Sequence, residues 1–272
     1  GTLMNVYPLE MGPMQTRVLE AGTGPETLFF IHGLGARADR WRANLPALAE
    51  QGFRCIAVDL PGHGFATKSG DFDFTVPNCA DLMLGLLDTF DIERAALIGT
   101  SLGGYIAATM ACGAPERVSH LMLVGTLGIV PMGQEARDRL SSRFGTVTRD
   151  GIEGKLRTVL HHDDRHFSEA WLDEEWRINN SPGAHEAFAR IADYIKSGID
   201  NDVVGDRLAS LSAAPPTAIV WGTEDKAVPP SVGEASRDVL KPALYELIPE
   251  TGHCPYFEEP EKFNRMVTGF VS

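Results

Sequence analysis

Cysteine is scarce in this chain: Cys55, Cys79, Cys112 and Cys254 are the four among 272 residues, and none lies close to another. So sparse a set offers no disulfide framework. Cys55 and Cys112 fall on elements predicted for the core, which points to buried thiols and a reducing compartment, the cytoplasm by default. Basic residues are also few, with 24 Lys and Arg against 37 Asp and Glu, for a formal net charge of −13. A surface this acidic repels nucleic acid and anionic lipid, so neither is expected as a partner. No apolar run approaches the roughly 20 residues of a membrane-spanning helix. The opening Gly1-Thr2-Leu3-Met4 lacks the basic and then apolar segments of a signal peptide. Low-complexity tracts, internal repeats and Pro/Gly/Ser-rich linkers are missing too.

What is present is an alternation of short apolar runs and helical patterns over residues 16–126. Strands are predicted at Arg17–Glu20, Thr27–Ile31, Arg54–Val58, Ala95–Ile98 and His120–Val124. Helices are predicted at Trp41–Ala49, Val76–Phe90 and Leu102–Cys112. This rhythm predicts a mostly parallel, doubly wound α/β sheet with the first strands antiparallel at one edge. From Val130 to Leu211 strands stop and helical periodicity takes over at Gln134–Phe144, Gly151–Leu160, Glu169–Ile178 and Ala184–Ile195. Alternation resumes at Ala218–Trp221, Ala243–Ile248 and Pro260–Phe270. The expected organisation is a core of residues 1–129 and 212–272, with residues 130–211 inserted as a helical cap.

The most informative stretch is Gly99-Thr100-Ser101-Leu102-Gly103-Gly104, between the apolar run Ala95–Ile98 and an Ala-rich helix. A strand turning this sharply into a helix strains the serine backbone and needs small neighbours, because the chain passes too close for side chains. The serine hydroxyl then points into a cleft, and the Leu102 N–H at the helix start can face an oxyanion. A nucleophilic serine needs a base, and the base needs an orienting acid. His253 lies on the Gly-flanked loop Glu250-Thr251-Gly252-His253 after one predicted strand. Asp225 follows another, where open α/β sheets place their chemistry; Glu224 is the competing acid.

Ser101, Asp225 and His253 in that order, each after a strand, resemble the triad of the α/β-hydrolase superfamily. The resemblance spans nearly the whole chain. It includes His32-Gly33-Leu34-Gly35, similar to the superfamily's oxyanion loop, and Asp59-Leu60-Pro61-Gly62-His63-Gly64, a turn common among its members. It implies an α/β-hydrolase fold with a cap over the serine, and a second oxyanion donor at the Leu34 N–H beside that of Leu102. The serine separates the chain from dehalogenases and epoxide hydrolases of the superfamily, which carry Asp there, but not from cofactor-free perhydrolases.

The expected activity is hydrolysis of a carboxylic ester or lactone of a small, partly apolar substrate through an acyl-enzyme. The alternative is a carbon–carbon bond hydrolase acting on meta-cleavage-type vinylogous diketones, which the chain resembles in length, in its single cap and in the tail His253…Phe263-Asn264. It departs from that group at Thr100, where Asn is usual, at Cys254, where Trp is usual, and at Gly35-Ala36-Arg37-Ala38, where Gly-Pro-Gly-Ala is common; Arg177 is its candidate cap arginine. A second alternative is a non-catalytic small-molecule receptor on the same fold. Arg37, just past the oxyanion loop, is a candidate for binding a substrate carboxylate, against the reading that Arg37, Arg40 and Arg42 form a solvated face. His161-His162-Asp163-Asp164-Arg165-His166 reads as a polar cap turn, because adjacent side chains diverge too far to share an ion. His63 is expected to support its turn. No motif calls for a cofactor or metal, and a small-molecule substrate is the only partner implied.

Overall fold

The computed structural model describes residues 3–272. Strands β1 (Asn5–Met11), β2 (Met14–Ala21), β3 (Thr27–Ile31), β4 (Arg54–Val58), β5 (Ala95–Thr100), β6 (Val118–Val124), β7 (Thr217–Gly222) and β8 (Leu244–Ile248) form one sheet in the order β1-β2-β4-β3-β5-β6-β7-β8. β1 and β2 pair antiparallel, as do β2 and β4, and every other pairing is parallel. The runs Leu28-Phe29-Phe30-Ile31 and Ala95-Ala96-Leu97-Ile98 are buried throughout, as strands covered on both faces must be. The chain steps from β3 outward to β4, then returns to the other side of β3 as β5. That reversal opens a crevice at the C-terminal ends of β3 and β5.

The helices are α1 (Leu45–Glu50), α2 (Val76–Thr89), α3 (Leu102–Gly113), α4 (Gln134–Phe144), α5 (Arg149–Thr158), α6 (Asp163–His166), α7 (Glu169–Asn179), α8 (Ala184–Ser197), α9 (Gly205–Ala209), α10 (Pro230–Leu240), α11 (Pro255–Glu258) and α12 (Pro260–Val271). On one face of the sheet α2 and α3 build a core around Met83, Tyr105 and Ile106. On the other, α1 and α12 close over Trp41, with Phe263, Val267 and Val271 forming the buried stripe of α12. No helix of the described residues is long and apolar enough to cross a membrane.

Between β6 and β7 lie α4 to α9 and no strand of the described residues. Phe144 of α4 and Phe188, Ile191 and Ile195 of α8 join the main core. α5 and α7 instead share a small cluster of their own, Ile152, Leu156, Leu160, Trp171 and Leu172. Four of these six helices therefore form two pairs with different anchorage, α4 with α8 and α5 with α7, and the space between the pairs becomes a cavity.

The differences from the sequence expectation have local causes. The helix predicted from Trp41 divides into a 3-10 turn at Ala38–Trp41 and α1, because Pro46 has no N–H to give the preceding turn. β1 carries Pro8, which an edge strand tolerates and a central one does not. α10 was masked by Gly233, a poor helix residue; a Cβ there would come 2.7 Å from the Trp221 ring, so close packing demands glycine inside that helix.

Candidate active site

Ser101 sits between β5 and α3 with φ 55° and ψ −116°, in a region that non-glycine residues avoid. The surroundings hold it there. A Cβ at Gly99 would lie 2.3 Å from the Gly103 carbonyl oxygen, and one at Gly103 would lie 2.1 Å from that of Ile31. The Ser101 N–H donates to Val124 O at 2.9 Å, and its own carbonyl accepts from Gly104, Tyr105 and Leu127. The residue is only 7% exposed, yet it borders a cavity of about 390 Å³ that His253 also lines.

His253 follows β8. Its Nδ1 bonds Asp225 Oδ2 at 2.7 Å, and Asp225 Oδ1 accepts the N–H groups of Ala227 and Val228, each at 2.9 Å. A carboxylate with both oxygens occupied by donors holds the imidazole proton on Nδ1 and leaves the Nε2 lone pair for a substrate or serine proton. The serine hydroxyl and the imidazole are not hydrogen-bonded in this geometry, which is common before a substrate closes the site. Glu224, the competing acid, is exposed, whereas Asp225 is buried.

The loop after β3 carries Gly33 and Leu34 on the cavity wall. His32 shapes it: Nδ1–H donates to Gly33 O at 2.7 Å, while Nε2 accepts the Leu60 N–H at 2.9 Å. Burial pushes His32 down to about 3, which keeps the ring neutral as that bonding requires. His63, also pushed down to about 3 by burial, bonds the Pro61 carbonyl inside its turn and does not line the cavity. Among the described residues no backbone carbonyl takes the N–H of Leu34 or of Leu102. Both remain available at the crevice between β3 and β5.

The structure redistributes the arginines. Arg37 is buried but does not line the cavity, because Asp39 at 2.9 Å and Glu174 at 2.7 Å hold it. Its expected contact with substrate is replaced by a link between the oxyanion loop and α7. Arg40, three residues on, does line the cavity, and only Arg42 of the three is solvated. Arg177 is exposed; α7 turns Glu175 and Asn179 to the cavity instead. The segment His161–His166, expected as a polar turn, instead winds into a short helix from Asp163 to His166. Among the described residues no group of three or more His, Cys, Asp and Glu side chains is arranged to hold a metal ion.

No motif in the sequence pointed to Glu258. It is buried, and its carboxylate accepts the N–H groups of Gly252 at 2.8 Å, His162 at 3.0 Å and His161 at 3.0 Å. With the His253 N–H donating to Val159 O at 3.0 Å, it ties the histidine loop to the end of α5. Glu258→Gln turns an amide NH2 toward backbone donors. The unmet buried group should cost about 1–3 kcal/mol, seen as a lower Tm together with a reduced kcat. Unchanged melting and kcat would show that the tie contributes neither stability nor alignment.

Residues 26–260 match the α/β hydrolase fold family. A 2-hydroxy-6-oxononadienedioate/2-hydroxy-6-oxononatrienedioate hydrolase of Burkholderia vietnamiensis (strain G4) is 33% identical over 267 residues, covering 93% of this chain and 89% of that protein. The chain is also similar, at 30% identity over 96% of its length and 68% of the relative's, to the dihydrolipoyllysine-residue acetyltransferase component of an acetoin cleaving system from Pseudomonas putida. The solved structure of the 2-hydroxy-6-oxo-6-phenylhexa-2,4-dienoate hydrolase from Rhodococcus sp. strain RHA1 covers 99% of both chains with a TM-score of 0.89 at 21% identity, a likeness of fold. Since the family match takes in the crevice and the loops after β3, β5, β7 and β8, the chain belongs to the α/β-hydrolase fold family and is a hydrolase.

Proposed function

We propose that this enzyme hydrolyses a carbon–carbon bond beside a ketone in a carboxylate-bearing vinylogous diketone, using Ser101, His253 and Asp225 as its triad. The observation that carries the reading is the charge of the cavity wall. In a protein of net charge −13, Arg40, Arg139, Arg143 and Lys155 line the cavity against one carboxylate, Glu175. Burial lowers Lys155 to about 8, so it remains largely protonated at neutral pH. The rest of the wall is mainly apolar, including Leu34, Leu140, Phe144, Leu156 and Phe188. An unsaturated acid matches that combination better than a neutral ester, and the Burkholderia relative is named for an unsaturated dioate. A volume of about 390 Å³ suits a small molecule of this class. These relatives favour the carbon–carbon reading over the ester or lactone reading that the sequence placed first.

The chemistry follows from the leaving group. A carbanion departs only if its electron pair can spread, so the dienol must first pass to its keto form, moving a proton from the enol oxygen to C5. Ser101 Oγ then attacks C6 while His253 Nε2 takes the hydroxyl proton, and the N–H groups of Leu34 and Leu102 receive the developing oxyanion. Collapse breaks C5–C6, the pair delocalises into the conjugated 2-oxo system, and the proton held by His253 passes to that fragment. Water activated by His253 hydrolyses the acyl-Ser101. The net addition is one water: hydroxyl to the acyl fragment and hydrogen to the other. Residues 130–211 act as the cap that excludes bulk water, and no step needs a cofactor.

Purified protein assayed against a 2-hydroxy-6-oxo dienedioate, p-nitrophenyl esters of graded chain length and a lactone series tests the proposal. The diketone should give the highest kcat/KM, read from loss of its dienol absorbance. A sharp optimum among short esters without diketone turnover would return the assignment to an esterase. Saturable binding of the diketone without product would make the protein a receptor.

A further inference from the structure

Arg40 is buried, with its side chain 10% exposed, and it lines the cavity that Ser101 and His253 share. A guanidinium carries five N–H donors and normally meets oxygen acceptors when removed from water. Here the environment supplies charge balance but few acceptors. Glu175 Oε1 stands 3.7 Å from Nη2, beyond hydrogen-bonding distance, and is itself engaged by the Trp171 indole N–H at 3.2 Å. Among the described residues Nη1 reaches only the Cys254 sulfur, at 3.8 Å, and Nε has no partner. The Trp171 ring lies 5.0 Å from the guanidinium carbon, fixing the group in place. Glu175 and Trp171 thus hold a pre-positioned cation that, among the described residues, donates to the Cys254 sulfur and to no oxygen. That arrangement differs from the other buried arginine of this region: Arg37 meets carboxylate oxygens at 2.9 Å and 2.7 Å.

We infer that Arg40 is the anchor for a carboxylate of the substrate, a specificity-determining residue that the core supplies through the 3-10 turn Ala38–Trp41 rather than through the cap. The inference rests on the reading of the cavity as the site for an acid. Cys254, the neighbour of His253, lies against the guanidinium, so a carboxylate docked on Arg40 is registered directly relative to the imidazole. Glu175 keeps the empty site from carrying an isolated charge and weakens the grip enough for an acidic product to leave. Planar bidentate binding of a carboxylate is the geometry in which arginine exceeds lysine.

The test uses two esters of equal chain length, p-nitrophenyl hexanoate and the mono-p-nitrophenyl ester of hexanedioic acid, together with the dienedioate. The measured quantity is the ratio of kcat/KM for the acid-bearing ester over the neutral one. Arg40→Met should lower that ratio by about tenfold to a hundredfold, the worth of hydrogen bonds to a charged group. Because that variant strands Glu175, the double variant Arg40→Met/Glu175→Gln is measured alongside and should show the same loss. Glu175→Gln alone should move the ratio the other way, and Arg40→Lys should restore it only in part. Ratios unchanged in both Arg40→Met proteins would overturn the inference and leave Arg40 a structural group. If the dienedioate is not cleaved but the ester ratio falls, the carboxylate anchor stands and the carbon–carbon proposal fails; cleavage of the dienedioate with an unmoved ratio is the converse.

Discussion

Ser101→Ala should yield a folded protein whose kcat is lower by about a millionfold, as for other serine triads stripped of the nucleophile. Among the described residues the hydroxyl makes no hydrogen bond, so its removal leaves no orphaned partner, while the backbone contacts of residue 101 with Val124, Gly104, Tyr105 and Leu127 persist. Ser101→Gly separates function from stability. At φ 55° and ψ −116° a side chain is strained, at a cost of order 1–3 kcal/mol, and glycine relieves it at the expense of roughly 0.5–1 kcal/mol of chain entropy. The glycine variant is therefore expected to be as inactive as the alanine variant and to melt above it. Calorimetry and single-turnover kinetics on the two proteins check both halves. Residual turnover near the wild-type rate in either would remove Ser101 from the mechanism. A glycine protein melting below the alanine one would show that the turn stores no strain.

How much of this was legible beforehand depends on whether the signal was local. The strand-turn-helix around Ser101 announces itself because its requirements are written in neighbouring residues: an apolar run, then small residues where the backbone of Ile31 passes within reach. Asp225 and His253 were found by their positions after strands. Burial chose Asp225 over Glu224, and burial is a property of the assembled sheet. Arg40 and Glu258 were opaque for the same reason. A sequence of Arg37, Arg40 and Arg42 shows three cations without showing that α7 brings Glu174 to the first, Glu175 to the second and neither to the third. A Glu followed by Glu-Pro gives no hint that three backbone donors converge on it, two of them 97 and 96 residues upstream. The substrate ranking shifted on similar grounds. Thr100 and Cys254 are departures of single residues from one group's habit, whereas the cationic wall is a sum over α4, α5 and the 3-10 turn that only the folded chain brings together.

Asp225→Asn should lower kcat by about ten-thousandfold while leaving binding and melting nearly unchanged. The magnitude depends on which way the amide points, and the structure decides it. Asp225 Oδ1 accepts from two N–H groups, those of Ala227 and Val228. An asparagine must keep its carbonyl oxygen there, since an NH2 would face two donors and leave both unmet inside the protein. Its NH2 then occupies the place of Oδ2 opposite His253 Nδ1, now 2.7 Å away. An NH2 cannot accept, so the imidazole must carry its proton on Nε2 and offer a lone pair at Nδ1. The nitrogen facing the cavity becomes a donor, unable to take the proton of Ser101, although every heavy atom stays in place. Measured kcat and KM, with nitrogen-15 shifts of the imidazole to report the tautomer, provide the check. A loss of tenfold or less with the proton moved to Nε2 would mean that the base is another group; an unmoved proton would mean that the two backbone donors do not lock the side chain.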